Sequence, residues 1–421
     1  MISYRRHIRG SLVLVLANLG NFATTFLRNK LLALAFGPAG IGWIALVNNL
    51  NEVFANIAGT GVCDAFNREL ARAHPRFSPA EIVSTGVATS MVLLVAALPL
   101  AAWQLTGAVS MADGRVLIIA AFVAMVVSAT TWRVVSGVFL GLGRARRLFI
   151  PMVVGGIANL VVTALLLWAG VTQYIVFALT TPLLLVLIAV APVWRELREL
   201  VRGSLILKVP ALRPVLAIAL PSSLACLIEP LTAYAIRAVT AARFGDAVVG
   251  LIQPGLILVI LGASVFNSIV GITVVRWDQS AERAFSRRSL ALLAVACSLP
   301  LLAVATNWVL APIWGLVVRL LFTRAFLPGL ATVPWFILGE ALRMGGSLLG
   351  QTMQSRRLGV LYLLPKIASI VSAVVALKLG MDQTLLSIAQ AYAVAYLAMF
   401  GTAVASWLGL HAWLWARERA G

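Results

Sequence analysis

Residues 33–44 read ALAFGPAGIGWI, and residues 241–252 read AARFGDAVVGLI. The two stretches agree at six positions, including a phenylalanine–glycine pair and a second glycine five residues after it. A second match joins RRLFIPMVVGGIANLVVTALLLWAG, from Arg146, to RRLGVLYLLPKIASIVSAVVALKLG, from Arg356. The offsets of 208 and 210 residues are both close to half of the 421-residue chain. Two matches at nearly the same offset predict that the chain contains an internal repeat.

The composition predicts an all-α integral membrane protein. Hydrophobic residues make up 61% of the chain and charged residues only 11%, and the apolar runs reach the roughly 20 residues that a helix needs to cross the hydrocarbon. Twelve spans are predicted, at 10–36, 41–63, 82–106, 116–142, 148–169, 172–193, 214–242, 247–275, 289–309, 328–354, 358–380 and 383–411.

The repeat and the span count together predict a domain organisation. With six spans in each half, the two repeats have the same orientation in the membrane, which is a plan used by alternating-access transporters. We expect an N-terminal six-helix lobe at 1–194, a cytoplasmic linker at 195–213 and a C-terminal six-helix lobe at 214–421. The two parallel-repeat lobes would surround a central cavity that holds the site.

The basic residues predict orientation rather than nucleic-acid binding. The formal charge is +19, but the cations lie in short gaps between apolar runs, and 22 of the 33 Lys and Arg residues fall on one side against five on the other. The basic side is cytoplasmic. Both termini are therefore predicted to be cytoplasmic, in a multi-pass membrane protein that has no nucleic-acid partner.

Nine ionisable residues fall inside otherwise apolar spans, where such residues usually mark a substrate or ion path. Six are cations and three are anions: Arg28, Lys30, Arg133, Arg237, Arg343 and Lys366, against Glu52, Glu229 and Glu340. An interior with more cations than anions suits an anionic cargo. The six cations are the predicted substrate-binding residues.

The three glutamates lie at a common depth. Counting from the span ends places Glu52, Glu229 and Glu340 near the midplane, at about 1.5 Å per residue. Buried carboxyl groups can carry protons, so we expect them to couple transport to an ion gradient or to form internal pairs. Glu340 and Arg343 are three residues apart on one helix face and can pair. An internal pair and contact with the cargo are both open for them.

The cations differ in how deep they lie. Arg133 and Lys366 are about ten residues, or roughly 15 Å, from the nearest cytoplasmic loop, which makes them the best candidates to bind a pyrophosphate or a sugar acid. Arg28 and Lys30 come late in the first span and could instead reach the outer interface. The same alternative holds for Arg237.

Three blocks of sequence resemble a known family. The run KLLALAFGPAGIGWIALVNNL from Lys30, continuing to IAGTGV at 57–62, is similar to the first two helices of bacterial lipid-linked oligosaccharide flippases of the O-antigen and common-antigen type. LLFTRAFLPGLATVPWFILGEALRMGGSLLG from Leu320 resembles their ninth and tenth helices, and IAQAYAVAYLAMF from Ile388 resembles their last helix. These flippases belong to the superfamily of multidrug and polysaccharide exporters. Span 8 departs, since it keeps Gln253 but lacks the family's usual acidic residue and tyrosine.

The resemblance implies a fold, a cargo and partners. The fold would be two six-helix lobes in a V around a central cavity. The cargo would be an undecaprenyl-pyrophosphate-linked oligosaccharide, moved from the cytoplasmic to the periplasmic leaflet while its polyprenyl tail stays in membrane lipid. A polysaccharide polymerase and a chain-length regulator would act beside the flippase.

Other function classes fit the residues less well. A multidrug antiporter of the same superfamily, the main alternative, would favour an acidic aromatic cavity for organic cations, whereas this interior carries more cations than anions. The three histidines lie near cytoplasmic edges and no Walker loop is present, so we expect no catalytic residues, no metal site and no cofactor. A purely structural role in polysaccharide assembly would leave the buried charges unexplained.

Overall fold

The computed structural model describes residues 2–70, 77–108, 115–144, 146–201, 209–258, 285–355, 359–379 and 384–420. Regular structure within these ranges is entirely helical, without a strand. The helices are α1 Ile2–Ala55, α2 Gly61–Glu69, α3 Pro79–Ala108, α4 Arg115–Gly141, α5 Arg146–Trp168, α6 Tyr174–Val201, α7 Val209–Phe244, α8 Asp246–Leu258, α9 Arg287–Leu310, α10 Trp314–Leu321, α11 Val333–Ser355, α12 Gly359–Leu379 and α13 Leu385–Ala420. A π-turn, Asn56–Thr60, joins α1 to α2, and 3-10 turns at Ala311–Ile313 and Arg324–Thr332 flank α10.

The span count follows from these helices. Nine helices in the described ranges are long and apolar enough to cross a membrane, and Tyr174–Ile188 and Asp246–Leu258 are shorter apolar helices. The first of the nine is broken at Gly37, so it supplies two spans. The predicted all-α, multi-pass fold with about twelve spans is confirmed. The end of predicted span 8 falls at 259–275, outside the described residues.

The first helix breaks at Gly37, inside the repeated segment. Gly37 has φ +62° and ψ −163°, a conformation that glycine adopts without the steric cost a Cβ would bring. Pro38 follows and has no backbone N–H to continue the helical pattern. Gly245, at the matched position of the other repeat, has φ +83° between α7 and α8. The two matched glycines therefore share a positive φ angle.

The chain divides into two compact units. One consists of Met1–Ala35 and Trp43–Tyr234, and the other of Phe36–Gly42 and Ala235–Gly421. The segment Phe36–Gly42 thus leaves the first unit and packs with the second. The predicted lobe boundaries at 194 and 214 stay a prediction, and the linker predicted at 195–213 includes 202–208, which lie outside the described residues.

Within the second unit, the two repeat segments cross at their second glycines. A Cβ on Gly42 would lie 1.9 Å from the carbonyl oxygen of Asp246, and a Cβ on Gly250 would lie 1.9 Å from that of Pro38. Pro38 and Asp246 are themselves equivalent at the 208-residue offset. The contact is therefore reciprocal, and it requires glycine on both sides because each Cβ would meet backbone.

Each unit has its own apolar core. In the first unit, α2, α3, α4 and α7 bury a cluster that consists of Val62, Ala65, Phe66, Ile82, Val83, Val138, Val215 and Ala219. In the second, α7, α8, α11, α12 and α13 bury a larger cluster that includes Phe336, Tyr392 and Tyr396. The second cluster is notable because its aromatic residues adjoin charged ones.

Candidate functional site

Arg28 is buried among helices of the first unit. It projects from α1, and its Nε donates to Thr163 Oγ1 of α5 at 3.2 Å. A terminal nitrogen donates to the carbonyl oxygen of Phe177 in α6. The residue is 5% exposed. Arg28 therefore ties three helices of the unit together through neutral acceptors.

Glu52 and Arg133 form an ion pair in the first unit. The carboxylate of Glu52, on α1, accepts a hydrogen bond from a terminal nitrogen of Arg133, on α4. The Glu52 side chain is half exposed, whereas Arg133 is mostly buried. The predicted pyrophosphate ligand and one of the predicted coupling carboxylates are thus partners.

Arg133 keeps one nitrogen for a further acceptor. Its Nη1 is buried and has no hydrogen-bond partner among the residues that the structure describes. The stem of the side chain runs along Gly59, on which a Cβ would lie 3.0 Å from Arg133 Cβ. Because a buried unsatisfied donor is costly, this nitrogen favours the approach of an acceptor.

Glu340 is the centre of the polar cluster in the second unit. Its Oε1 accepts from Arg343 Nε at 2.7 Å and from a terminal nitrogen of the same arginine, all on α11. Its Oε2 accepts from the hydroxyl of Tyr392, on α13, at 3.0 Å. Glu340 and Arg343 thus pair in this structure, and both carboxylate oxygens have partners.

Lys366 adds a second cation to this cluster. It lies on α12, is 3% exposed, and donates from Nζ to Ser347 Oγ of α11 at 3.3 Å. It is also within electrostatic range of Glu340. Burial at this level excludes snorkelling of its ammonium group to an interface.

Arg237 is a buried cation with little to neutralise it. It projects from α7, is 6% exposed, and its Nε has no hydrogen-bond partner in the described ranges. The hydroxyl-bearing rings of Tyr392 and Tyr396 are within electrostatic range. No described carboxylate forms an ion pair with it.

Two of the nine predicted residues lie outside the groups described above. Lys30 and Glu229 are half-buried, on α1 and α7 respectively, and each interacts with other residues. The nine residues are therefore divided between separate groups within each unit. Their predicted roles in binding and coupling stay predictions.

The repeat relates the two arginine–glutamate pairs. Arg133 and Arg343 are 210 residues apart, the same offset that matches α5 to α12. The arginine position is thus shared by the two repeats, but its partner is not. In the first unit the carboxylate comes from another helix, whereas in the second it comes from the same helix, three residues earlier.

Sequence reasoning missed the tyrosines. Tyr392 and Tyr396 pack with ring centroids 4.7 Å apart, and both are buried beside Glu340 and Arg237. The stretch IAQAYAVAYLAMF could have indicated them, because tyrosines four residues apart lie on one face of a helix. A buried tyrosine hydroxyl usually needs a polar partner, which a glutamate in another apolar span could have supplied.

The described residues contain no group of three or more His, Cys, Asp or Glu side chains that could hold a metal ion. Most of the polar side chains in the Glu52–Arg133 pair of the first unit and in the cluster around Glu340 in the second are arginine, lysine or tyrosine. Arginine and lysine only donate hydrogen bonds, and the tyrosine hydroxyl is a weak ligand for a cation. The chemistry that the clusters favour is recognition of an anion.

Comparison with known proteins relates the chain to others by structure alone. No protein-family model matches it, and no curated protein matches it. A multidrug resistance MATE family transporter of the MOP superfamily, in its inward-facing conformation, aligns with a TM-score of 0.69 at 16% identity over 97% of this chain and 99% of that one.

Two further structures show how varied the similar proteins are. The lipid II flippase MurJ, in an inward closed conformation, aligns with a TM-score of 0.67 at 12% identity, over 96% of this chain and 90% of that one. A MOP superfamily transporter from Pyrococcus furiosus, described as having a binding pocket of reverse polarity, aligns with a TM-score of 0.59 at 17% identity over 98% and 95%. The chain therefore has the fold of the MATE and MOP superfamily transporters.

Proposed function

We propose that this protein is a flippase of the bacterial inner membrane. It moves an undecaprenyl-pyrophosphate-linked oligosaccharide from the cytoplasmic to the periplasmic leaflet by alternating access, with both termini in the cytoplasm. The polyprenyl tail remains in lipid while the pyrophosphate and sugars cross. The fold is shared with a lipid flippase and with multidrug transporters, so the choice of cargo depends on the charged residues.

The observation that carries the proposal is the buried positive charge of the second unit. Arg237 is 6% exposed and forms no ion pair with a described residue, and Arg343 and Lys366 lie in the same unit beside the carboxylate of Glu340. Burying a charge without a partner costs several kcal/mol. A protein that keeps such a charge gains from an anion that neutralises it during function.

The first unit contributes a second point of recognition. Arg133 Nη1 has no described partner, while its other terminal nitrogen is held by Glu52. Guanidinium groups bind phosphate through paired N–H donors, which makes arginine well suited to a pyrophosphate. Arg28 and Lys30 belong to the same proposed binding set, although Arg28 already donates two hydrogen bonds within the unit.

Replacing Arg237 tests the proposal. Arg237→Gln is expected to reduce surface polysaccharide about tenfold, equivalent to losing roughly 1.4 kcal/mol of cargo binding. The thermal unfolding midpoint of the purified protein should stay the same or rise, because an unpaired buried charge has been removed. A variant that loses transport while keeping stability is the signature of a binding residue.

The measurement uses the host with its own gene deleted and then complemented. Surface polysaccharide and polyprenyl-linked intermediates are analysed for the wild type, Arg237→Gln, Arg237→Lys and the control Arg213→Gln, which changes an exposed arginine of the same helix. The flippase is supported if complete lipid-linked repeat units accumulate in the deletion strain and with Arg237→Gln, but not with the wild type or Arg213→Gln. Normal glycan in the deletion strain, with new sensitivity to cationic drugs, would instead identify a multidrug antiporter.

Coupling to an ion gradient is part of the proposal. The carboxylates Glu52, Glu229 and Glu340 are the proposed carriers, since an internal carboxyl group can exchange a proton as its surroundings change. In proteoliposomes, collapse of the proton or sodium gradient should slow wild-type transport of the lipid-linked sugar. At least one of the three Glu→Gln variants should become insensitive to the gradient. Full gradient dependence in all three variants would rule out these carriers.

The proposed partners follow from the cargo. A polysaccharide polymerase and a chain-length regulator would use the oligosaccharide once it faces the periplasm, since polymer assembly consumes the transported unit. Membrane lipid surrounds the helices throughout. The cargo itself is recognised by its pyrophosphate and by any acidic sugars, because the proposed ligands are cations.

A further inference from the structure

A π-turn follows the helix that carries Glu52. Asn56–Thr60 separates the end of α1, at Ala55, from the start of α2, at Gly61. A π-turn accommodates one more residue than an α-helical turn, and single turns of this kind occur frequently at functional sites. This one lies in the sequence NIAGT, in which small residues let other helices approach closely.

The π-turn determines whether Glu52 can reach Arg133. The stem of Arg133 is fixed against Gly59, inside the turn, while its guanidinium pairs with Glu52, which precedes the turn. Each residue of an α-helix rotates its direction by about 100°. If the extra residue were lost between the two contacts, Glu52 would point away from Arg133 while Gly59 stayed in place. The ion pair therefore depends on the turn.

Two serines from other helices hold the π-turn. Ser90 Oγ, on α3, donates to the carbonyl oxygen of Ala58 at 2.6 Å. Ser223 Oγ, on α7, donates to the carbonyl oxygen of Ile57 at 3.1 Å. A π-turn disturbs the regular backbone hydrogen bonds, and buried carbonyl groups need donors. Both serines are buried, so water does not readily replace them.

We infer that Ser90 and Ser223 are positioning residues for the Glu52–Arg133 pair. By donating to consecutive carbonyl groups they hold the π-turn, and the π-turn directs Glu52 onto Arg133. The pair in turn orients Arg133 so that Nη1 is left for the cargo. This last step rests on the proposed function, whereas the first two concern the structure of the first unit alone.

The native Cys63 reports on the turn without any cargo. It lies on α2, just beyond the π-turn, and packs so closely on α4 that a Cβ on Gly137 would be 2.9 Å from its Sγ. Rotation of α2 would expose this thiol. In a Cys226→Ser, Cys297→Ser background, N-ethylmaleimide is applied to membranes and the rate of Cys63 modification is measured.

The clearest variants differ only in the hydroxyl group. Ser90→Val and Ser90→Thr have the same shape, but only threonine can still donate to Ala58. We expect Ser90→Val to be modified about tenfold faster, because local opening of the turn becomes more frequent, and Ser90→Thr to match the wild type. Ser223→Ala should behave as Ser90→Val does. The controls are Thr89→Val and Thr232→Val, whose hydroxyl groups donate to carbonyl oxygens of their own helices. Equal rates in Ser90→Val and Ser90→Thr would refute the inference.

A double-mutant cycle tests the step to Glu52. If the serines act through the ion pair, Ser90→Val reduces transport in the wild-type background but causes no further loss when Glu52 is already Gln. Independent, additive losses would overturn that step. A failure of the proposed function is distinguishable, because then even the wild type would not move the lipid-linked sugar, while the Cys63 rates would still report on the turn.

Discussion

Replacing Gly250 by alanine is expected to abolish most of the folded protein. The added Cβ would lie 1.9 Å from the carbonyl oxygen of Pro38 and 2.6 Å from its carbonyl carbon. Both are backbone atoms, so no side chain can move aside, and the crossing segments would have to separate. Overpacking typically costs about 1–3 kcal/mol, and this contact should be at or above about 3 kcal/mol because backbone must shift. The reciprocal variant Gly42→Ala should behave alike, since its Cβ would lie 1.9 Å from the Asp246 oxygen.

The matched control is Gly401→Ala. Gly401 is inside α13, and a Cβ added there would meet no neighbouring atom of the described residues within 4 Å. Alanine should therefore be neutral or stabilising by up to about 1 kcal/mol through helix propensity. Size-exclusion profiles and thermal unfolding in detergent compare the three variants with the wild type. If Gly250→Ala and Gly401→Ala gave similar profiles, the close crossing would not exist in the folded protein.

The repeat could be predicted from sequence because its key residues are glycines with strict backbone roles. Gly37 and Gly245 both adopt a positive φ, and Gly42 and Gly250 both meet backbone. No other residue fits these positions well, whereas the apolar residues around them can replace one another. The glycines therefore stand out as the matching residues of the two segments. The reciprocal crossing itself was not predictable, because it depends on how the two segments pack.

The site could be predicted only where partners are close in sequence. Glu340 and Arg343 pair because a spacing of three places them on one helix face. Glu52 and Arg133 are 81 residues apart, and their pairing depends on helix packing and on a π-turn that no residue pattern revealed. Counting residues along a span estimates depth, but it does not give the direction in which a side chain points.

The hydrogen-bond partners of Arg28 could not be predicted from the sequence either. Its late position in the first span predicted a depth but no partners, which are Thr163 and the carbonyl oxygen of Phe177. An arginine can be satisfied by neutral acceptors, and these are common in apolar helices. Excess charge in a span therefore identifies residues of interest without identifying their partners.

Removing the carboxylate of Glu340 should be the most destabilising change at the polar clusters. Glu340 is 4% exposed, pairs with Arg343, accepts from Tyr392 and lies within electrostatic range of Lys366. Glu340→Ala would leave buried cations without the carboxylate that balances them. Breaking a buried pair by removing one partner costs about 3–5 kcal/mol. The variant should therefore unfold at a clearly lower temperature than the wild type.

Two comparisons separate the loss of charge from the loss of packing. Glu340→Gln can still accept from Tyr392 and should be less destabilised than Glu340→Ala, whereas Glu340→Leu combined with Arg343→Leu should recover much of the stability because neither charge remains buried. The control Glu196→Ala removes a carboxylate that pairs with two exposed arginines, Arg144 and Arg147, and should cost less than about 1 kcal/mol. Thermal unfolding in detergent measures all four. A double leucine variant less stable than Glu340→Ala would mean that the pair stabilises the second unit in its own right, so its charges would not need a functional reason to be present.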